Sequence, residues 1–187
     1  AVKTHKVPTP STGGLAMAGA FFITLSMVRL YTHFPTGTLT RMRGILIGAA
    51  IMVALGFIDD IRKPVGVSVR TKFIFQFLAA GVLVLYGIQM RFISPDYISI
   101  LLSLVWVVGV ANAFNIIDIM DGFSSSQAAV AAMGFLLISL PSEELYVNFA
   151  AAALLGSALG FIPYNLSKKH KIFMGDSGSL FLGFVLA

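Results

Sequence analysis

Long apolar runs alternate with short polar breaks along this chain. Six runs stand out, roughly Gly14–Leu30, Gly44–Ile58, Phe73–Ile88, Ile98–Ile117, Gln127–Leu140 and Leu145–Ile162, and a seventh opens near Ser179 and continues to Ala187. Their side chains do not alternate between polar and apolar, and the runs are rich in Ala, Leu and Gly. That argues against membrane β-strands and for helices. A helix on the surface of a soluble domain keeps a polar stripe, and most of these runs have none. The pattern therefore predicts an all-α, polytopic transmembrane helical bundle. Several runs fall short of the ~20 residues a perpendicular span needs, so their flanks must extend them.

The breaks carry their own expectations. Tyr31–Arg43, Arg91–Tyr97 and Leu140–Glu144 read as structural connections on one side of the membrane. The opening stretch from Lys3 to Gly14 is basic and stiffened by Pro8 and Pro10. It ends in a glycine pair that permits tight turning or close backbone approach. Gly156 and Gly160, four residues apart, predict close helix packing rather than a ligand site. The chain starts inside a polar loop and stops inside a helix, which reads as a single integral membrane domain over 1–187, truncated at both ends.

Composition supports the membrane reading. Hydrophobic residues make up 57% of the chain and charged ones only 11%, against about 25% in an ordinary soluble domain. Mean hydropathy is +0.90. The charges also sort by side. Residues 1–13, 59–72, 118–124 and 164–176 hold Lys3, Lys6, Arg62, Lys63, Arg70, Lys72, Lys168, Lys169 and Lys171, whereas the opposite breaks hold Arg29, Arg41, Arg43 and Arg91. Nine basic residues against four make the first side cytoplasmic. The net charge of +5 is thus mainly a topology signal, and nothing in its placement forms a nucleic-acid groove. The chain has no cysteine, so disulfides and thiolate metal sites are excluded.

Five of the six aspartates, Asp59, Asp60, Asp118, Asp121 and Asp176, fall where apolar runs end, all on the predicted cytoplasmic side. Carboxylates are costly in a bilayer unless they line a site or reach water. Acids gathered at span ends suggest interfacial chemistry with Mg²⁺ and phosphate. Asp59 and Asp60 are adjacent, so their repulsion raises one pKa unless a cation intervenes. Arg62 and Lys63 follow at once, and local ion pairs are the plainer explanation. Asn112, Asn115, Asp118 and Asp121 recur every three residues, a polar stripe of hard oxygen ligands or, alternatively, an interhelix network. Around Asp176, Gly175-Asp176-Ser177-Gly178 restarts a helix. Asp176 either caps that helix or stands beside free N–H groups facing a pyrophosphate, with Phe173 available to stack a base. No His or Cys cluster exists, so the expected metal is Mg²⁺, with Mn²⁺ able to substitute.

Taken together, Lys6–Gly14, Gly56–Asp60, Asn112–Gly122 and Phe173–Ser179 resemble the motifs of the polyprenyl-phosphate sugar-1-phosphate transferases, and the likeness covers essentially the whole chain. The resemblance implies a protein of about ten or eleven helices, of which this chain is a fragment. It implies Asp176 as an Mg²⁺ ligand and Asn115 as a neighbouring magnesium or diphosphate ligand. Asp59 and Asp60 would be the adjacent pair, one of them the base or orienter for the lipid phosphate. Asp118 would be a further catalytic acid, Asp121 and Phe173 would read and stack the uracil, and Lys6 and Lys72 would lie near the phosphates. The chain departs from many relatives at Ser11-Thr12 and at Ile119.

The implied reaction moves a sugar-1-phosphate, of an N-acetylhexosamine such as GlcNAc, from a UDP-sugar to undecaprenyl phosphate. Its products are a polyprenyl-diphosphate-sugar and UMP, for envelope polysaccharide synthesis at the bacterial inner membrane. The implied partners are both substrates, the lipid bilayer and a second copy of the chain in a homodimer. The alternative within the family is phospho-MurNAc-pentapeptide transfer. An ion-coupled transporter is the distant one, because it would want its ionisable groups near mid-membrane.

Overall fold

The computed structural model describes residues 10–32, 37–92, 94–141 and 145–187. The described residues form an all-helical bundle of seven helices: α1 Gly13–Tyr31, α2 Thr38–Arg62, α3 Val69–Leu85, α4 Asp96–Ile117, α5 Phe123–Ser139, α6 Leu145–Leu166 and α7 Gly175–Leu186. Four of them, α1, α2, α4 and α6, are long and apolar enough to cross a membrane, whereas α3 and α5 have 17 residues and α7 only 12.

Polar flanks extend several runs. α2 begins at Thr38, inside the stretch expected to be a connection, so Arg41 and Arg43 are helical and the Arg41 guanidinium lies 4.9 Å from the centre of the Tyr146 ring. α3 starts four residues earlier than its apolar run, at Val69, because Ser68 Oγ accepts the Thr71 N–H at 3.3 Å as an N-cap. α7 likewise starts at Gly175 rather than near Ser179. The stops are local too. α2 runs into Lys63-Pro64, where proline cannot continue the helix, and α5 starts just after Gly122, whose left-handed backbone turns the chain.

The centre of the bundle is α7. Every residue from Ser177 to Phe184 is buried, as befits a helix that is apolar nearly all round. Its neighbours come close because glycines face each other or face backbone. A Cβ at Gly14 of α1 would lie 2.2 Å from the Gly178 nitrogen, one at Gly56 of α2 would lie 2.4 Å from Ser177 Cα, and one at Gly183 would lie 2.6 Å from Ala111 Cα of α4. Small residues let membrane helices gain dispersion contacts that lipid would otherwise supply.

Gly156 and Gly160 do not take part in such packing. A Cβ at either would meet nothing within 4 Å, which corrects the expectation from their spacing. They border a groove between α1 and α6 of about 330 Å³, together with Ala16, Ala20 and Phe161. The small-residue spacing marks close approach only where a partner helix arrives, and here the Phe161 ring, against Gly13, fills the contact between the two helices.

Candidate active site

One end of the bundle collects the ionisable groups. Asp59 and Asp60 lie in the last turn of α2, Lys72 in the first turn of α3, Asp118 just past α4, and Asp176 in the first turn of α7. Four links join three of these elements directly. Lys63 Nζ sits 2.7 Å from Asp60 Oδ1 and 2.9 Å from Asp176 Oδ1, while Lys72 Nζ sits 2.7 Å from Asp59 Oδ2 and 3.0 Å from Asp176 Oδ2. Each oxygen of Asp176 thus accepts from a different lysine. Three carboxylates face two ammonium groups, leaving one negative charge before Asp118 is counted.

The adjacent pair on α2 divides its work. Asp59 reaches forward to the connection after α2, accepting the Val67 N–H at 2.6 Å, and so folds the 63–68 connection under Lys72. Asp60 points across to α7, accepting the backbone N–H groups of Asp176 and Ser177, both at 3.0 Å. A carboxylate from α2 therefore caps the start of α7, where both orphan donors and the helix dipole favour negative charge. This overturns both expectations for that helix start. Asp176 is not its own cap, and these two N–H groups are not free for a pyrophosphate. Gly175 makes the approach feasible, with φ +73° and a hypothetical Cβ only 2.5 Å from Asp60 Oδ2. Nor is Asp176 a surface charge, since its side chain is 17% exposed.

Electrostatics follow from these contacts. Burial alone would lower the Lys63 pKa, but its bonds to Asp60 and Asp176 outweigh that and drive it above the ordinary lysine value. Asp118 has the opposite environment. Burial, reinforced by the nearby Asp176 charge, pushes its pKa up to about 7. A carboxyl whose folded pKa is raised stabilises the fold fully below its ordinary pKa, and that contribution is lost as pH rises through the folded value. Asp118→Asn should accordingly flatten the fall in thermal stability between pH 5 and pH 8 and gain about 2 kcal/mol at the upper end. Melting of both proteins in detergent without divalent metal checks this; parallel pH curves would refute it.

The polar stripe on α4 splits by depth. Asn112 pairs with Gln76 inside the bundle, and Asn115 Nδ2 donates to Ser179 Oγ of α7 at 2.9 Å. The Asn115 Oδ1 has no hydrogen-bond partner among the described residues. Asp121 belongs to a second cluster, where Lys171 Nζ pairs with its carboxylate at 2.5 Å and lies 5.2 Å from the centre of the Phe173 ring. Asn165 ties this cluster together, accepting the Gly122 N–H and donating to the Ile172 carbonyl. The strip carrying Phe173 is also fixed to α1, because Gly13 and Gly14 donate their N–H groups to the carbonyls of Phe173 and Met174 at 3.0 and 2.9 Å. Lys6 lies outside the described residues.

Of the residues singled out in the sequence, Asp59, Asp60, Lys72 and Asp176 meet in one network, with Asp118 and Asn115 beside it and Asp121 and Phe173 in an adjoining cluster. The local ion pair expected of Lys63 is present with Asp60, whereas its reach to Asp176 and the parts played by Lys171, Gln76 and Asn165 are visible only in the structure. The spacing of three between Asp60 and Lys63 puts both on one helical face and accounts for that pair.

No three His, Cys, Asp or Glu residues converge as a metal cage among the described residues. The donor set nonetheless fits Mg²⁺, which is usually held by one or two carboxylates with substrate phosphates and water completing the shell. In such a shell Asp176, whose two oxygens here accept from Lys63 and Lys72, would supply a carboxylate and Asn115 an amide oxygen, and the network carries a residual negative charge.

Sequence comparison adds relatives. The family described as Glycosyl transferase family 4 matches residues 42–187. The chain is 31% identical, over 99% of its length, to a probable undecaprenyl-phosphate N-acetylglucosaminyl 1-phosphate transferase of Bacillus subtilis, covering 51% of that protein. It is 34% identical, over 98% of its length, to the decaprenyl-phosphate N-acetylglucosaminephosphotransferase of Mycobacterium tuberculosis, covering 50% of it. A phospho-N-acetylmuramoyl-pentapeptide-transferase of Caldicellulosiruptor bescii is 31% identical over 97% of the chain and 60% of that protein. The chain spans about half the length of the first two relatives.

Proposed function

This chain belongs to glycosyl transferase family 4, and on that premise we propose that the full-length protein transfers a sugar-1-phosphate from a UDP-sugar to undecaprenyl phosphate. The sugar we favour is N-acetylglucosamine, in line with the names of the two relatives described first. A lipid phosphate oxygen attacks the phosphorus next to the sugar, a new P–O bond forms, the bond to the UMP oxygen breaks, and UMP leaves. The site faces the cytoplasm of the bacterial inner membrane, on the side richer in Lys and Arg. The observation that carries this reading is the meeting of Asp59, Asp60, Lys63, Lys72 and Asp176 in one ion-paired cluster at a single end of a membrane bundle.

Such a reaction needs charge neutralised and oxygens aligned more than it needs a covalent partner. Mg²⁺, replaceable by Mn²⁺, would be held by Asp176 and Asn115 and would supply charge neutralisation for the diphosphate. Lys63 and Lys72 stay protonated between the carboxylates and present positive charge to incoming phosphate oxygens. Asp59 is occupied by Lys72 and the Val67 N–H, and Asp60 by Lys63 and two α7 N–H groups. Carboxylates so engaged favour direct attack by the lipid phosphate over an aspartyl intermediate. A trapped phospho-enzyme at Asp59 or Asp60 would overturn that preference. The reading needs no second copy of the chain at the site.

The Asp121, Lys171 and Phe173 cluster is the proposed nucleotide end. A carboxylate suits the uracil N3–H donor, and a phenyl face adds stacking worth roughly 1–3 kcal/mol. Phe173→Ala should weaken UDP-sugar binding about tenfold or more, and Asp121→Asn should relax discrimination against cytosine, whose N3 is an acceptor. Calorimetric titration of the full-length variants with UDP- and CDP-sugars tests both; equal UDP-sugar affinity in F173A would assign that ring to packing instead. The reaction itself is tested by offering the full-length protein a panel of radiolabelled UDP-sugars with undecaprenyl phosphate. Transfer from UDP-MurNAc-pentapeptide alone would favour the second reading, which the Caldicellulosiruptor relative supports. No transfer from any donor would remove both.

A further inference from the structure

Gln76 is a polar residue, 1% exposed, in the middle of an apolar helix and outside the charged network. It lies one turn beyond Lys72 on α3, away from the charged end. Across from it, Asn112 lies one turn from Asn115 on α4. The two amides meet reciprocally: Gln76 Nε2 donates to Asn112 Oδ1 at 3.2 Å, and Asn112 Nδ2 donates to Gln76 Oε1 at 2.7 Å. Asn112 Nδ2 also donates to the Val108 carbonyl at 2.7 Å, which fixes the side chain against its own helix. Among the described residues no other hydrogen bond joins α3 to α4.

From this we infer that Gln76 and Asn112 are positioning residues whose amide pair sets the register of α3 against α4, and so holds the Lys72 ammonium at Asp176 beside Asn115. This rests on the proposed transfer function and deepens it. The argument is geometric. A reciprocal amide pair has one satisfactory alignment, and sliding α3 by one residue along α4 would leave the buried Gln76 amide unpaired and the half-buried Asn112 with only its bond to Val108, which is costly without water. Apolar contacts between helices tolerate such sliding far better. Lys72 reaches both Asp59 and Asp176 only from its present height, and the pair one turn away sets that height. Ordinary interhelix glue would need a hydrogen bond somewhere on the interface. Placement directly behind the charged groups of both helices is what a positioning role requires.

The test uses the full-length protein with Gln76→Leu, Asn112→Leu and the double variant, each normalised to folded protein. Loss of positioning should cut kcat at least tenfold in either single variant with KM for the UDP-sugar within about twofold, and the double variant should be no worse than the singles. Retained kcat, or single losses that multiply in the double variant, would overturn the inference. A second readout is independent of the substrate. Lys72, freed from Asp59 and Asp176, should be acetylated several-fold faster in Q76L than in wild type, by mass spectrometry after a short pulse of an acylating reagent. An unchanged Lys72 rate would also overturn the inference. If wild-type protein transfers no sugar phosphate, the functional reading fails while the Lys72 footprint still decides the role of the pair.

Discussion

Asp176→Asn should reduce turnover of the full-length protein at least about a thousandfold, because it removes charge from the position where the transferring phosphates need it neutralised. The substitution keeps the shape of the side chain and one acceptor oxygen. Its second oxygen becomes an amide that cannot accept from a lysine, so either Lys63 or Lys72 loses a partner at this position. Each lysine retains its other carboxylate, Asp60 or Asp59. The cluster moves from one net negative charge to neutrality, which costs little in folding but removes the excess that would attract a divalent cation. UMP release and thermal melting, measured on the same preparation, separate the two effects. Undiminished UMP release would remove Asp176 from the site, and collapse of the melting transition would make it a structural residue first.

Gly56→Ala should be among the most damaging single methyl groups in the bundle. Its Cβ would lie 2.4 Å from both the nitrogen and Cα of Ser177 and 2.5 Å from the Asp176 carbonyl carbon, all backbone atoms that cannot rotate aside. α7 must then withdraw from α2, taking its N–H groups away from Asp60 one turn further along. Overpacking of this kind costs about 3 kcal/mol or more, and here a broken cap adds to it. Gly81→Ala and Gly109→Ala are the matched controls, since a Cβ at either meets nothing within 4 Å. Both should be neutral or slightly stabilising, as alanine is the better helix former. Equal melting temperatures for G56A and the controls would show that α2 and α7 do not meet as described.

Much of this was readable from the chain because membrane burial leaves a coarse signal. Runs without a polar stripe gave seven helices, and the five clustered aspartates marked the end of the bundle where four of them now take part in or adjoin one network. What was not readable depends on which atoms meet. Adjacent aspartates on a helix diverge, but only the packing of α2 on α7 decides that Asp60 caps and Asp59 holds a loop. Gly156 and Gly160 had the spacing of close-packed glycines, whereas the close approaches occur at Gly14, Gly56 and Gly183, where a second backbone arrives. Gln76 carried no charge and matched no motif, so its meaning appears only when Asn112 stands opposite.

The central place of α7 also bears on biogenesis. It is the last of the seven helices to leave the ribosome, yet it supplies the backbone that Gly14, Gly56 and Ala111 close upon and the N–H groups that Asp60 accepts. Until it arrives, the earlier helices surround an apolar gap bordered by Asp60, Lys63 and Lys72, which have each other and Asp59 but lack their α7 partners. A nascent protein in that condition leaves an open gap beside incompletely satisfied charges, the kind of feature that insertion chaperones and membrane proteases would be expected to engage. The segment that completes the charged cluster is thereby also the segment that closes this gap.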